Sequence, residues 1–227
     1  MLPTKIFPGS FIDLTHTLHH DVPTWTGRCG FETSIAMDYD QGLRVMKFKG
    51  QTGIGTHMDA PNHFFPGAKS IDELDIGDFL IPLYVLDIRE KMSPELMISK
   101  EDILSFEKRH GKVQPNSLFI GFTGWGQFWN NPVKYRNELQ FPGFHIEAAE
   151  TLYDRGVCGL GIDTLSPDGT NMNFPVHKKF LGGNRYLIEN LSSLEKLPPI
   201  GAFGIVLPMK IKGGSEAPIR AIAYIPQ

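Results

Sequence analysis

The chain contains only two cysteines, Cys29 and Cys158, among its 227 residues. Two thiols cannot build a disulfide framework or a four-thiolate zinc site. The sequence also lacks any apolar run that approaches the ~20 residues of a membrane-spanning helix. Its N-terminal stretch has no unbroken apolar segment followed by a small-residue cleavage site, so we predict a cytoplasmic protein without a leader.

An excess of charge of one sign is missing as well. Twenty-two Lys and Arg against twenty-five Asp and Glu give a net charge of −3, which argues against a nucleic-acid partner. With 41% hydrophobic and 21% charged residues, the composition is that of a folded protein with a hydrophobic core, and disorder is not expected. The length suits one domain, and no repeat or linker divides residues 1–227, which we assign to a single domain.

Segments rich in β-branched and aromatic residues predict about nine strands. These segments are 11–14, 31–37, 45–49, 80–88, 117–122, 159–163, 186–191, 202–207 and 219–225. One predicted helix begins at Ser99, where Asp102 forms a capping pair, and ends before Gly111. A second helix is predicted over 145–155, with Gly156 as its C-terminal stop. This mixture predicts an α/β fold with a mixed sheet.

The most informative segment is GIGTHMDAPNH, residues 53–63. In an extended chain, His57 and Asp59 lie two residues apart and point to the same side. An imidazole beside a carboxylate is typical of half a zinc or manganese site. Pro61 interrupts a regular strand and allows His63 to turn toward the same pocket. The alternative is a polar loop whose histidines make ordinary surface hydrogen bonds.

This segment resembles the signature of the cyclase-like hydrolase family, which includes bacterial kynurenine formamidase and isatin hydrolase. The family signature is His-x-Gly-Thr-His-x-Asp-x-Pro-x-His, and the resemblance extends over nearly the whole chain. The other matching segments, in order, are Val-Pro-Thr-Trp-Thr-Gly at 22–27, Phe-Thr-Gly-Trp at 122–125, Phe-Pro-Gly at 141–143, Glu-Ala-Ala at 147–149, Gly-Ile-Asp-Thr-Leu-Ser-Pro-Asp at 161–168, Phe-Pro-Val-His at 174–177 and Ile-Glu-Asn-Leu at 188–191. The resemblance implies a fold of the swivelling β/β/α type, in which a barrel-like mixed sheet is flanked by a few helices.

The resemblance also implies roles for individual residues. The implied ligands of a divalent metal, zinc or manganese, are His57, Asp59, His177 and Glu189. His63 would transfer protons, and Trp25 would contact the substrate. An independent observation concerns Glu189, which interrupts the apolar run 186–188, where an ionised carboxylate needs a compensating cation. A salt bridge to Lys or Arg at the strand end is the alternative.

The sequence departs from the signature at Gly53, where the first family histidine would stand. Three interpretations are open. The chain binds one metal through the four ligands named above, or two metals with Gln51, Thr52 or water as poorer substitutes, or it has lost hydrolysis. We favour one metal, because the remaining ligands and His63 are all present.

The resemblance implies a metal-dependent hydrolase that cleaves the C–N bond of an aryl formamide or cyclic amide. In this hypothesis a metal-activated water attacks and His63 acts as the proton shuttle. The alternatives are a non-catalytic small-molecule binding protein of the same fold and a lactone or ester hydrolase. Trp25, Phe64 and Phe65 suggest an aromatic substrate. The resemblance implies a homodimer or homotetramer, and we expect no nucleic-acid or membrane partner.

Other residues carry weaker signals. His20 or Cys29 could reach the position left without a ligand, whereas His16 belongs to an ordinary strand-to-turn segment. Asp163 and Asp168 could orient ligands or cap turns, and the pattern leaves both roles open.

Overall fold

A computed structural model describes residues 8–227; residues 1–7, the beginning of the stretch searched for a leader, lie outside the described residues. Residues 8–227 form twelve strands and four α-helices, joined by loops and short 3-10 turns. The strands are β1 (Gly9–Asp13), β2 (Phe31–Met37), β3 (Val45–Gly50), β4 (His57–Asp59), β5 (Leu80–Asp87), β6 (Met97–Ile98), β7 (Leu118–Phe122), β8 (Gly143–Phe144), β9 (Gly159–Ile162), β10 (Tyr186–Glu189), β11 (Phe203–Pro208) and β12 (Glu216–Pro226). The helices are α1 (Lys100–His110), α2 (Pro132–Arg136), α3 (Ile146–Asp154) and α4 (Pro175–Gly182).

Seven strands close into a barrel. In order of hydrogen-bonded neighbours they are β12, β11, β5, β7, β9, β10 and β4, and β4 pairs again with β12. β1 extends the sheet by pairing with β12. Neighbours among β5, β7, β9 and β10 are parallel, whereas pairs that involve β4, β11 or β12 are antiparallel. The predicted α/β fold with a mixed, barrel-like sheet is confirmed.

The parallel strands are covered on both faces. All residues of β7, β9 and β10 are buried, as expected for parallel strands between two apolar layers. Ile120 packs with residues of β4, β11 and β12, so its cluster fills the barrel. Its neighbour Phe119 faces the other side and joins Phe106 of α1 and Phe180 of α4.

The two predicted helices are confirmed. Ser99 caps α1 in a reciprocal box with Asp102, and His145 caps α3. The sequence does not predict α2 and α4, which are short and each begin with a proline. Within residues 8–227, no helix combines the length and the apolar character that a membrane crossing requires.

The strands β2 and β3 form a hairpin separate from the barrel sheet. Almost every residue of both strands is exposed, although several are large and apolar. Phe48, 63% exposed, and Met46, 57% exposed, are examples. A two-stranded hairpin with apolar residues in water is only marginally stable by itself.

Candidate metal centre

Three strands carry acidic and imidazole groups on one face. His57 and Asp59 are the first and last residues of β4, and both are buried. The register of β10 places Glu189 opposite His57, and the register of β12 places Glu216 opposite Asp59. Directly paired residues project to the same side of a sheet, and so do alternate residues of one strand. The four side chains therefore share one face, and His57 and Asp59 point to the same side as their spacing predicts.

His177 reaches this face from the first turn of α4. The loop before α4 contains Asp168, which is fully buried and accepts hydrogen bonds from the backbone N–H groups of Val176 at 2.7 Å and His177 at 3.1 Å. A carboxylate at a helix N-terminus is also favoured by the helix dipole. The same carboxylate contacts His177 Nδ1, so it fixes both the start of the helix and the orientation of the ring.

The four predicted ligands form a closed ring of contacts. His57 Nε2 lies 3.4 Å from Asp59 Oδ1 and 3.3 Å from Glu189 Oε2. His177 Nε2 lies 3.4 Å from Asp59 Oδ2 and 3.4 Å from Glu189 Oε1. Donors about 2.0–2.2 Å from one ion lie about 3–3.6 Å apart, so each of these four neighbouring pairs is close enough to share an ion. Single donor atoms of His57, Asp59 and Glu189 all lie within 4.8 Å of one another, and His177 borders that group through Asp59 and Glu189.

The other nitrogen of each histidine is already engaged. His57 Nδ1 lies 2.9 Å from the carbonyl oxygen of Gly55, and His177 Nδ1 contacts Asp168. Both partners are acceptors, so Nδ1 carries the proton in each ring. In a neutral imidazole, Nε2 then carries a lone pair that points toward the carboxylates. Two lone pairs facing each other repel unless the ring is protonated or a cation lies between them.

The electrostatics of the cluster agree with this description. Burial alone would lower the pKa of His57 and of His177, but adjacent carboxylates raise both pKa values well above the usual one. Asp59 and Glu189 act on His57, and Asp168 acts first on His177. Burial would raise the pKa of Asp59, but the His177 and His57 rings hold it well below its usual range. The metal-free cluster thus retains protons that a bound ion would displace.

Asp59 provides the test of whether these residues fit a metal ion. Both of its carboxylate oxygens are buried, and neither accepts a hydrogen bond from residues 8–227. A buried carboxylate needs donors or a compensating cation, and the two histidine rings 3.4 Å from Asp59 compensate its charge only while they are protonated. Glu189 has ion pairs with His57 and His177, and within the described part of the chain no Lys or Arg pairs with it. Two imidazoles and two carboxylates suit zinc or manganese, so the donor set fits a divalent cation.

His63 lies beside the four predicted ligands and makes none of the contacts that join them. It ends the 3-10 turn Pro61–His63 that follows β4, and its side chain is 32% exposed. It lines a cavity of about 520 Å³ together with the four ligands. The structure therefore places His63 in the same pocket, as the interruption at Pro61 predicts.

Aromatic rings form part of the cavity wall. Trp25 and Phe64 line it, as the sequence suggests, and Phe174 joins them. The centroid of the Phe174 ring lies 5.8 Å from that of Trp25 and 5.7 Å from that of Phe64. Phe65 is not among the lining residues; like Phe64, it packs against the apolar cluster on the helix side of the sheet.

The weaker candidates lie elsewhere. His20 and Cys29 are exposed and line a different cavity. His16 stacks on a tryptophan ring and is absent from the lining of the metal-centre cavity. Asp163 accepts hydrogen bonds from backbone N–H groups just after β7, so it stabilises a turn. Of the two aspartates that the sequence leaves open, Asp168 is the one that orients a predicted ligand.

Glu216 also lines the metal-centre cavity, although no sequence pattern singles it out. Glu216 is the first residue of β12, three residues before the strand predicted at 219–225. The signal that could have identified it is the one used for Glu189, a carboxylate at the end of an apolar strand that needs a compensating cation.

Comparison with known families decides where this chain belongs. The profile of one family, described as "Putative cyclase", matches residues 12–169, well over half of the chain. The chain belongs to the cyclase family. The matched segment contains His57 and Asp59, whereas His177 and Glu189 follow it.

Two relatives of this cyclase-family chain are hydrolases. Isatin hydrolase of Roseibium aggregatum is 28% identical over 188 residues, which cover 76% of this chain and 72% of the relative. Kynurenine formamidase of Bacillus cereus is 23% identical over 217 residues, which cover 94% of this chain and 97% of the relative. The predicted resemblance to both enzymes is confirmed.

Solved structures share the fold. Isatin hydrolase A from Ralstonia solanacearum has a TM-score of 0.86 at 29% identity, covering 95% of this chain and 92% of that chain. An isatin hydrolase bound to the product analogue thioisatinate has a TM-score of 0.88 at 25% identity, covering 96% and 92%. A protein described as a potential metal-dependent hydrolase with cyclase activity has a TM-score of 0.77 at 21% identity, covering 96% and 98%, and shows likeness of fold alone.

Proposed function

We propose that this chain is a metal-dependent hydrolase that cleaves the C–N bond of an aryl formamide or a cyclic amide. The observation that carries the proposal is the buried Asp59 carboxylate, which accepts no hydrogen bond and lies 3.4 Å from the Nε2 atoms of both His57 and His177. The names of the relatives supply the substrate class, because isatin contains a cyclic amide and a formamidase cleaves a formamide.

The residues that would hold one divalent ion, zinc or manganese, are His57, Asp59, His177 and Glu189. A divalent ion bound there lowers the pKa of water and polarises a carbonyl oxygen. Gly55 and Asp168 contribute by fixing the two histidine rings with Nε2 toward the carboxylates. Burial of these four side chains keeps water from competing for their donor atoms.

His63 is the proposed proton-transfer residue. Its ring lies in the cavity beside the ligands, and it is exposed enough to reach both water and substrate. Histidine is the side chain whose charge ordinarily changes between pH 5 and 8. We therefore assign to His63 the acceptance of a proton from the attacking water and its delivery to the leaving nitrogen.

The aromatic wall is the proposed binding surface for the substrate ring. Trp25, Phe64 and Phe174 border the same cavity as the ligands. Aromatic rings prefer offset or edge-to-face contacts with one another, so this wall favours a flat aryl group next to the scissile bond.

Metal analysis together with turnover tests the proposal. Protein purified without chelators should contain zinc or manganese in a near-stoichiometric amount and should hydrolyse isatin or formanilide. Chelation should abolish turnover, and the ion should restore it. Asp59→Asn should lose the metal, whereas Asp40→Asn, at an exposed carboxylate of the β2–β3 turn, should keep it. A metal-free protein that only binds an aromatic acid, or turnover confined to lactones or esters, would contradict the proposal.

We propose that the chain forms a homodimer or homotetramer through the β2–β3 hairpin. The support is the exposed apolar surface that includes Met46 and Phe48, because a hairpin of this kind gains stability when it is covered. Phe48→Glu should shift the mass measured by light scattering toward the monomer, whereas Val133→Glu on the exposed face of α2 should not. A monomeric wild-type chain would refute it. The cytoplasmic location and the single domain over 1–227 stay predictions.

A further inference from the structure

The space that a side chain at position 53 would need is already filled. Gly53 lies in the lining of the metal-centre cavity, at the place of the histidine that begins the family signature. A Cβ atom added there would overlap Glu216 Oε1, would lie 2.9 Å from the carboxyl carbon of Glu216, and would lie 3.4 Å from His57 Nε2. The Glu216 carboxylate therefore occupies the volume beside His57 that a longer residue 53 would take.

Several contacts hold Glu216 in this position. It starts β12 opposite Asp59, so both carboxylates lie on the same face of the sheet. The hydroxyl groups of Thr52 and Ser215 each donate to Glu216 Oε2 at 3.3 Å. Donor atoms of Asp59, His63 and Glu216 all lie within 4.8 Å of one another. The side chain is 21% exposed, so most of its surface is enclosed in the cavity.

We propose that Glu216 is a metal ligand that takes the place of the histidine missing at Gly53. The inference rests on the proposed function, because it needs an ion beside His57 and Asp59. Glycine at position 53 and glutamate at position 216 then act as a pair: the absent side chain makes room, and the carboxylate supplies the donor. None of Gln51, Thr52 and water, the poorer substitutes considered from the sequence, is then needed.

The exchange changes the chemistry of the centre. An imidazole is replaced by a carboxylate, which is a harder donor that carries a negative charge. The donors near the ion then include three carboxylates, those of Asp59, Glu189 and Glu216. Such a set should favour manganese relative to zinc more than a set with a histidine at position 53 would.

A different role for Glu216 is to position His63, whose Nδ1 lies 3.6 Å from Glu216 Oε2. A residue that only positions His63 would change the pH profile of turnover and leave metal affinity untouched. Metal affinity therefore separates the two roles without reference to catalysis.

The first experiment titrates metal-free protein with Zn²⁺ and Mn²⁺ against a chromogenic chelator. Loss of residues that merely support a ligand costs 10–100-fold in metal affinity, so Glu216→Ala, which removes a ligand, should lose at least about 100-fold. The visible spectrum of the Co²⁺-loaded protein should change as well, because one donor is gone. Glu150→Ala removes an exposed carboxylate of α3 and should match the wild type in both measurements.

The second experiment uses position 53. Gly53→Ala should weaken metal binding by displacing the Glu216 carboxylate, and it should add no further loss when Glu216 is already alanine. The double variant Gly53→His with Glu216→Gly should recover affinity, with a lower ratio of manganese to zinc affinity than the wild type. Far-ultraviolet circular dichroism and urea unfolding midpoints that match the wild type would show that the single variants fold normally.

The outcomes distinguish the two proposals. If wild-type protein binds neither ion, the proposed function fails together with the inference. If wild-type protein binds an ion and Glu216→Ala binds it equally tightly with the same Co²⁺ spectrum, the inference alone is wrong. A loss of affinity in Glu216→Ala and in Gly53→Ala, without additivity between them, supports it.

Discussion

Asp168 is the residue through which His177 is held, and Asp168→Asn alters this support with little change of shape. Asparagine keeps one oxygen that can accept the Val176 N–H, but its amide nitrogen is a donor. Placed against His177 Nδ1, that donor requires Nδ1 to be the acceptor and moves the ring proton to Nε2. The nitrogen that faces Asp59 and Glu189 then cannot bind a cation.

The expected effect on metal affinity is a loss of about 10–100-fold, the range found for groups that orient a metal-binding histidine. That range corresponds to about 1.4–2.7 kcal/mol. Stability should fall less than in Asp168→Ala, because the Val176 N–H keeps its acceptor and only the His177 N–H loses one, at about 1–3 kcal/mol. Asp168→Ala is different, since it leaves two buried N–H groups without an acceptor at about 1–3 kcal/mol each, or about 2–6 kcal/mol in total.

The assay combines chelator competition for metal affinity with urea denaturation of the metal-free protein. Asp168→Asn should lose affinity with a modest fall in its unfolding midpoint, and Asp168→Ala should lose affinity with about twice that fall. Asp75→Asn serves as the control, because Asp75 caps a 3-10 turn with no histidine attached. If Asp168→Asn binds the ion as tightly as the wild type, the orientation assigned to His177 is wrong.

Three further predictions test other parts of the account. His63→Ala should lower kcat by ~10²–10⁴-fold with metal content unchanged, and full activity would remove its assigned role. Burial lowers the pKa of His16 to about 4, below the usual ~6.5 of a histidine in the unfolded chain, so protonation favours unfolding. The free energy of unfolding should therefore fall by about 2–3 kcal/mol from pH 7 to pH 4. Denaturation curves of His16→Phe should lack that part of the decline, and an unchanged pH dependence would count against this role. Burial raises the pKa of Cys158 to about 11, whereas Cys29 is exposed, so a disulfide reagent at pH 8 should label one thiol quickly and the other slowly, and two equally fast thiols would refute this.

Much of the fold follows from local patterns. Nine of the twelve strands within residues 8–227 overlap segments predicted from β-branched and aromatic residues, and α1 shows the capping pair Ser99 with Asp102. The strands β4, β6 and β8, of two or three residues each, are too short to show such a pattern. The closure of the barrel is not local, because it depends on β4, a strand of three residues that pairs with both β10 and β12. The start of α4 is equally hidden, since its cap comes from Asp168, several residues earlier in the chain.

The site divides in the same way. His57 and Asp59 could be grouped from their spacing of two, which any extended segment converts into a shared face. Only the family resemblance groups His177 with His57 and Asp59. Glu189 is grouped with them by the resemblance and also by its position after an apolar run. Glu216 could not be grouped with these residues, because strand pairing brings it there from a distant part of the chain.

Anomalous diffraction from crystals grown with Mn²⁺ or Zn²⁺ tests whether four side chains share a divalent cation. We expect a strong anomalous peak, at the absorption edge of the added metal, enclosed by His57, Asp59, His177 and Glu189. Crystals that contain the metal elsewhere, or that show Asp59 hydrogen-bonded to water with no anomalous signal beside it, would show that these side chains do not form a metal site.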